Sequence, residues 1–331
     1  MPEISVIMPV YNTNEDYFRE AIESVLGQSF RDFEFIIVDD CSKKYIEDIV
    51  LSYSDERICY YRLAENSGAA AARNFALSKA SGKYVAFMDS DDVSLPERLE
   101  KQYAFFRTHP EIGCLGTKVE IFGGQKENMF FPKPVKHQEI EEYLLFFGCV
   151  FCQSSVMVRK EILDKNNIVY KTEYVPAEDY GLWLDLIGKT KFEVLPEILV
   201  KYRFYAENIS NVQNKKQREK CLAAQISALE KYCGVCFGDK EILASFFRGD
   251  SLAEGDDLRL YPVLRDMIEA LDKKGVLRES VCRLLRKRFK KFYYHTRSLS
   301  GQWGLLRSPL NGLLRVSLAW RVFCLITRGV F

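Results

Sequence analysis

The run Tyr84-Val-Ala-Phe-Met-Asp-Ser-Asp-Asp92 sets three carboxylates, Asp89, Asp91 and Asp92, directly after an apolar stretch of strand-like composition. In open α/β sheets, ligands bind at the carboxyl ends of the strands. Carboxylates on a turn at such a place suit a hard divalent cation, Mg2+ or Mn2+. A cation of this kind would let an acidic loop hold an anionic diphosphate. Without it, two unit charges ~4 Å apart interact by roughly 4 kcal/mol at an effective dielectric of ~20, and carboxylates and phosphates would repel. The alternative is an acidic turn that only caps the helix after it.

Other residues with chemical potential are spread along the first two thirds of the chain. Tyr11 follows the first strand-like run, where its ring can lie on a nucleobase, a contact worth ~1–3 kcal/mol, or simply pack. Asp39 ends the second such run and can accept a hydrogen bond from a pyrimidine N–H or close an ordinary Asx turn. Arg73 stands in a helix otherwise made of small residues, which permits close approach of a ligand. Glu178 and Asp179 follow Pro176 at a helix start, where acidic residues also occur for dipole reasons alone.

The elements that must position these residues alternate. Ile4–Val10 reads as a strand buried on both sides. Residues 15–28 carry Tyr17, Phe18, Ala21, Ile22, Val25 and Leu26 on one helical stripe. Strands are expected at 33–38, 58–63 and 84–88. Helices are expected at 45–53 and at 69–81, the latter ended by Gly82. Ser94-Leu-Pro-Glu97 has the form of a capping box that opens a helix to about Arg107. The order β-α-β-α-β-α-β predicts an α/β fold, a mixed and mainly parallel sheet with helices on both faces. No Gly-x-Gly-x-x-Gly follows the first strand, so the usual dinucleotide fingerprint is missing. Strand-like segments at 115–122, 154–158 and 192–195 flank a helix at 178–187. Beyond 213 the pattern is helical, at 217–232, 239–247, 258–271 and 279–294.

Composition bounds the rest. The chain has 331 residues, 47% hydrophobic and 28% charged, with a formal net charge of +1. These are ordinary values for a globular protein and give no case for a nucleic-acid partner. The cysteines are scattered, several within apolar runs, and read as buried reduced thiols. No basic flank or small-residue cleavage site marks the N-terminus, so a cytoplasmic setting is expected. Between Arg283 and Arg297 basic residues interleave with aromatic ones, and Leu305–Phe331 is apolar but broken by arginines. A central arginine costs ~2.5–3.5 kcal/mol in a membrane span. A basic amphipathic region resting on an anionic membrane surface fits better, at the inner face of the cell membrane; a helical cap or dimer contact is the alternative.

Six segments occur together in a fixed order: Val6-Ile-Met-Pro-Val-Tyr-Asn12, Ile37-Val-Asp-Asp-Cys-Ser42, Asn66-Ser-Gly-Ala-Ala-Ala-Ala-Arg-Asn74, Asp89-Ser-Asp-Asp92, Glu178-Asp-Tyr-Gly-Leu-Trp183 and Tyr202-Arg203. Over residues 1–210 their identity and order resemble family 2 of the nucleotide-sugar glycosyltransferases, inverting enzymes of the GT-A fold. The resemblance implies a domain over 1–212, its half 1–110 binding nucleotide and its half 111–212 binding acceptor, with a helical region over 213–331. It implies that Pro9, Tyr11, Asn12, Asp39, Arg73, Asp89, Ser90 and Arg203 surround a nucleotide-sugar with uracil as its base, with Asp39 on the base and Arg203 near the diphosphate. In the matching DxD motif, Asp91 is the direct ligand of Mn2+ or Mg2+, with Asp89 on the ribose or a metal-bound water and Asp92 capping the next turn. Asp179 becomes the general base, and Glu178 and Trp183 meet a glycan or lipid-linked acceptor, although Trp183 is equally suited to the core. Relatives often carry His two residues beyond the Tyr-Arg arginine, whereas this chain has Tyr205. Two other readings stay open: a nucleotidyltransferase or sugar-phosphate enzyme sharing the nucleotide-binding half, which lacks its basic Gly-rich loop here, and a non-catalytic module, from which the acidic motifs would be lost.

Overall fold

The computed structural model describes residues 1–43, 46–123, 130–131, 136–205, 212–248 and 256–274, together with residues 250, 281, 283 and 285. The expected helix at 279–294 and the basic and apolar C-terminal stretches lie almost wholly outside the described residues.

One nine-stranded sheet organises the first part of the chain. Its strands are β1 (Ile4–Val10), β2 (Phe33–Asp39), β3 (Ile58–Arg62), β4 (Tyr84–Phe87), β5 (Val93–Ser94), β6 (Ile112–Phe122), β7 (Phe130–Phe131), β8 (Met157–Arg159) and β9 (Lys191–Arg203). They lie in the order β3-β2-β1-β4-β8-β6-β9-β5, with β7 beside β6. The long pairings are parallel, β1 with β2 and β4, β2 with β3, and β6 with β9. The short β8 is antiparallel to both β4 and β6. The expected mixed, mainly parallel sheet is therefore present.

This topology fixes where chemistry can occur. Strands β1, β2, β4, β6 and β9 all run one way, so the turns after them open on one edge. The register carries Val10 beside Asp39 and Ile7 beside Phe87. Because β8 runs backwards, the residues before it return to that same edge. The 3-10 turn Gln153–Ser155 thus meets the end of β4, where the Asp89 N–H donates to Ser154 Oγ at 3.0 Å.

Helices cover the sheet: α1 (Glu15–Leu26), α2 (Ile46–Leu51), α3 (Ala69–Lys79), α4 (Arg98–Thr108), α5 (His137–Phe146), α6 (Lys160–Asn166) and α7 (Glu178–Asp185). Alternate β1 side chains Ile4, Val6, Met8 and Val10 join Phe18, Ala21, Ile22 and Val25 of α1 in one core. Asn14 caps α1, its carboxamide oxygen accepting from the Asp16 and Tyr17 N–H groups.

Two local expectations are overturned. Ser94 does not cap α4; it lies in β5, paired with Val200 of β9, and its hydroxyl accepts from the buried Gln28 amide at 3.1 Å. Sheet pairing across the chain outcompetes the local cap. Gly82 does not end α3, whose cap is Ala80. Gly82 is instead pressed against β1, donating its N–H to Ser5 Oγ at 2.8 Å. A Cβ there would lie 2.6 Å from the Ser5 nitrogen.

A charge is buried at the heart of the sheet. Arg98 of α4 has no exposed surface and donates to the carbonyls of Phe87 and Val156 at 2.9 and 3.2 Å. These carbonyls end β4 and precede β8, so Arg98 braces the two strand ends that frame Asp89. Burial lowers its pKa to about 10, which leaves it cationic at neutral pH.

The chain divides into two compact units, Met1–Cys221 and Leu222–Phe331, and the division falls within α8 (Asn214–Cys233). In the second unit, α9 (Lys240–Arg248) and α10 (Asp256–Lys273) pack on each other, and Leu243, Phe246, Leu260, Leu264 and Met267 are buried. Among the described residues, no helix is long and apolar enough to cross a membrane.

The Gly82 contact is testable. Gly82→Ala must push β1 and the β4 entry apart, and overpacking of this kind costs about 1–3 kcal/mol. Urea unfolding should show a lower midpoint with an unchanged slope; an unchanged midpoint would contradict the close approach.

Candidate active site

The sheet edge opens into a cavity of about 920 Å³. Its walls come from the turns after β1, β2 and β4, the start of α3, the Gln153 turn, the start of α7 and the residues that close β9. Of the residues expected at the site, Pro9, Tyr11, Asn12, Arg73, Asp89, Ser90, Asp91, Glu178 and Asp179 all line it. The two acidic motifs, some ninety residues apart in the chain by the numbering Asp89 and Glu178, share one space.

Arg73 joins them. It projects from α3 and is buried, with Nη1 donating to Glu178 Oε1 at 2.6 Å and Nη2 donating to Asp89 Oδ1 at 2.7 Å. The Tyr170 ring lies 5.6 Å from the guanidinium. Burial opposes the charge of Arg73, but the two carboxylates outweigh it and the pKa is raised. Arg73 therefore stays cationic and spans from the end of β4 to the start of α7.

Each wall is fixed by local bonding. Gly68, with φ 87, caps α3 in a conformation that lets its N–H and that of Ser67 donate to the Asp40 carboxylate at 2.8 and 2.7 Å. Asn12, with φ 50, is pinned by Ser42 Oγ on its N–H and by the Lys43 N–H on its side chain. These bonds hold Tyr11 outward, 45% exposed, with its ring available to a base. Ser90 shares a hydrogen bond with the Thr13 hydroxyl at 2.7 Å, tying the β1 turn to the acidic loop.

The acidic loop is strongly biased electrostatically. Burial and the neighbouring Asp89 raise the pKa of Asp91 to about 6. Asp92 is fully buried, accepting from the Ser154 hydroxyl at 2.5 Å and the Arg203 N–H at 2.9 Å. Burial, with Asp91 and Asp89, pushes its pKa well up. Across the cavity, Asp179 is only partly covered, and its Oδ1 accepts from the Tyr180 N–H at 2.7 Å. Burial first, then the charge of Glu178, raises its pKa to about 7; the Tyr180 bond and Arg73 oppose the shift.

Four residues named from the sequence do not line the cavity. Asp39 lies beneath the wall with no exposed surface; Oδ1 accepts from the Ser42 N–H at 2.8 Å, and Oδ2 from Arg62 at 2.7 Å and Tyr60 at 3.2 Å. Its neighbour Asp40 lines the cavity instead. Arg203 does not line the cavity either: its guanidinium stacks between Tyr17 and Phe122 and donates to the Asp91 carbonyl and Glu20. Trp183 is a core residue with no exposed surface, packed edge-on against Phe87 and Phe151. Trp183 shares the helix face of Asp179 but lies one turn further along, where that face meets the core. Asp92 serves Ser154 and Arg203 rather than the turn that follows it.

Asn66 and Gln153 also line the cavity and were not singled out as site residues from the sequence; Tyr205, noted there as standing where relatives often carry His, lines it too. Tyr205 donates its hydroxyl to Asp91 Oδ2 at 2.7 Å.

The donor set suits a hard cation in one particular way. Asp89 and Asp91 offer carboxylate oxygens, one of each already engaged by Arg73 and Tyr205. Among the described residues, no group of three or more His, Cys, Asp or Glu side chains forms a closed metal cage. Mg2+ and ions like it are commonly held by one or two carboxylates, with phosphates and water completing the shell. The residues present fit a cation shared with a diphosphate.

Comparison with known proteins agrees with this geometry. The model of glycosyl transferase family 2 matches residues 5–166. An uncharacterized glycosyltransferase of Methanocaldococcus jannaschii is 36% identical over 66% of this chain and 76% of its own length. The putative teichuronic acid biosynthesis glycosyltransferase TuaG of Bacillus subtilis is 36% identical over 63% of this chain and 82% of its own. WfgD of Escherichia coli, a UDP-Glc:alpha-D-GlcNAc-diphosphoundecaprenol beta-1,3-glucosyltransferase, is 32% identical over 64% of this chain and 81% of its own. Among solved structures, residues 1–349 of S. aureus TarS in complex with UDP-GlcNAc superpose with a TM-score of 0.59 at 20% identity, covering 99% of this chain and 92% of that one. A longer TarS structure superposes with a TM-score of 0.57 at 23% identity, covering 90% of this chain, which spans about half (54%) of its length. The six motifs, the GT-A sheet that brings them to one edge and these relatives converge, and the chain belongs to glycosyl transferase family 2.

Proposed function

We propose that this glycosyltransferase moves a sugar from a UDP-sugar to a hydroxyl of a growing polysaccharide, lipooligosaccharide or lipid-linked glycan, with inversion at the anomeric carbon. The observation that carries the reading is the placement of Asp179 in the same cavity as Asp89 and Asp91. A single in-line displacement needs a proton acceptor on one side of the sugar and charge stabilisation on the other. The names of WfgD and of the TarS complex support a UDP-linked donor.

The residues divide the work between them. Tyr11 offers its exposed ring to the base. Asp91, with Asp89 beside it, would hold Mg2+ or Mn2+ against the diphosphate; Mn2+ accompanies GDP-Man in the structure of the mannosyltransferase PcManGT of Pyrobaculum calidifontis. Bound there, such a cation supplies Lewis-acid neutralisation of the charge that builds on the departing diphosphate. Arg73 fixes Asp89 and Glu178 at a set separation, so the donor is held at one distance from the base. Asp179 takes the proton of the acceptor hydroxyl as that oxygen attacks. A base whose pKa lies near the working pH is well matched to this task. Glu178 lines the acceptor side but is held by Arg73, so it acts chiefly by shaping that wall.

Asp179→Asn keeps the shape of the side chain and removes its basicity. Transfer should fall by about 10²–10⁴-fold, the usual worth of a positioned base, while UDP-sugar affinity by calorimetry stays near wild type. Full transfer by this variant would remove Asp179 from the role.

The raised pKa has a signed consequence for activity and for stability. Only the ionised form accepts a proton, so the rate should climb as pH rises through about 7 and then level. Asp179 is held protonated in the fold over a range where the unfolded chain ionises it, so it costs stability as pH rises from about 4 through about 7. Asp179→Asn should therefore raise the melting temperature relative to wild type more at pH 8 than at pH 5. An equal difference at both pH values would contradict the shift.

A further inference from the structure

The end of β9 lies against the loop that carries Asp91, and its contacts divide between backbone and side chain. The Arg203 N–H donates to Asp92 Oδ1 at 2.9 Å, and Arg203 Nε donates to the Asp91 carbonyl at 2.8 Å. The Arg203 guanidinium is held 4.1 Å from the Tyr17 ring centre and 4.4 Å from that of Phe122. These contacts fix the path of the loop. They do not set the direction of the Asp91 carboxylate, because the terminal torsion of an aspartate is broad. Tyr205 contacts the carboxylate itself. Its hydroxyl donates to Asp91 Oδ2 at 2.7 Å, and its own ring rests 5.5 Å from Tyr17, tilted by 54°. Tyr205 also lines the cavity.

We propose that Tyr205 is the positioning residue of the cation-binding carboxylate, holding Asp91 Oδ2 so that Oδ1 is presented to a divalent cation shared with the nucleotide diphosphate. The assignment rests on the donor reading above and adds a residue to it. Tyr205 acts through Asp91 and touches neither sugar nor leaving group. Among the described residues no imidazole competes for the place: His109 stacks on Phe105, and His137 pairs with Glu141, both engaged elsewhere in the fold.

Tyr205→Phe separates the two roles this side chain can have. The phenylalanine keeps the contact with Tyr17 and deletes the hydrogen bond to Asp91. Mn2+ binding to the full chain with saturating UDP would be followed by the spin-resonance signal of free Mn2+. UDP affinity in chelator and the melting temperature would be measured beside it. Partners that orient a metal ligand are worth 10–100-fold in affinity, so Tyr205→Phe is expected to bind Mn2+ about tenfold more weakly. UDP affinity in chelator and the melting temperature should match wild type. Mn2+ affinity within about twofold of wild type would overturn the assignment, since orientation is worth more than that. So would an equal loss of UDP affinity in chelator, which marks a packing role. If the wild-type protein shows no UDP-dependent Mn2+ binding, the donor reading falls and takes this assignment with it. If both proteins bind Mn2+ alike, Tyr205 alone is removed.

Discussion

The site depends on one buried cation. Arg73 sits between Asp89 and Glu178, and neither carboxylate is close to the other in sequence. Removing one partner from a buried pair of this kind leaves an uncompensated charge at a cost of about 3–5 kcal/mol. The bridge therefore persists only if the end of β4 and the start of α7 hold their places. The rest of the unit supplies that rigidity. Arg98 and Gln102 tie the end of β4, the body of β6 and the residues before β8 together, Gln102 donating to the Leu115 and Ser155 carbonyls at 3.0 Å. Trp183 anchors α7 by packing on Phe87 of β4 itself.

The arrangement gives two carboxylates of the cavity different environments. Asp89 is paired with a guanidinium, while Asp179 faces the cavity with Glu178 as its acidic neighbour. Burial and that neighbour weaken the acidity of Asp179, turning a poor base into one suited to neutral pH. Without Arg73 the acidic groups would crowd the cavity without a countercharge. With it, Asp89 and Glu178 are held apart on either side of one guanidinium.

Much of the fold was legible because local pattern and topology agree in the first hundred residues. The continuous apolar runs at Ile4 and Phe33, the striped helix at Glu15 and the acidic ends of β2 and β4 fall where the sequence places them. What was illegible depends on long-range pairing. The antiparallel β8 brings Gln153 and Ser154 to the site, but nothing in Ser154–Val158 reveals the direction of a short strand. Ser94 has the residue types of a cap and is claimed by β9. Arg98 has the composition of a surface residue on an amphipathic helix and is wholly buried. Asp39 and Asp40 are the same residue type side by side, and only the turn geometry decides that the second lines the cavity. Arg203 was expected near the diphosphate because it matches the family's Tyr-Arg element; the rings of Tyr17 and Phe122 and the carboxylate of Glu20 claim it first.

A crystal structure of the protein with UDP and Mn2+ tests the central claim most directly. The account predicts the diphosphate and ion at Asp91, the uracil against Tyr11, and Arg73 still bonded to both Asp89 and Glu178. A diphosphate bound away from the Asp89–Asp91 loop, or an Arg73 that swings from Glu178 to reach the phosphates, would contradict it.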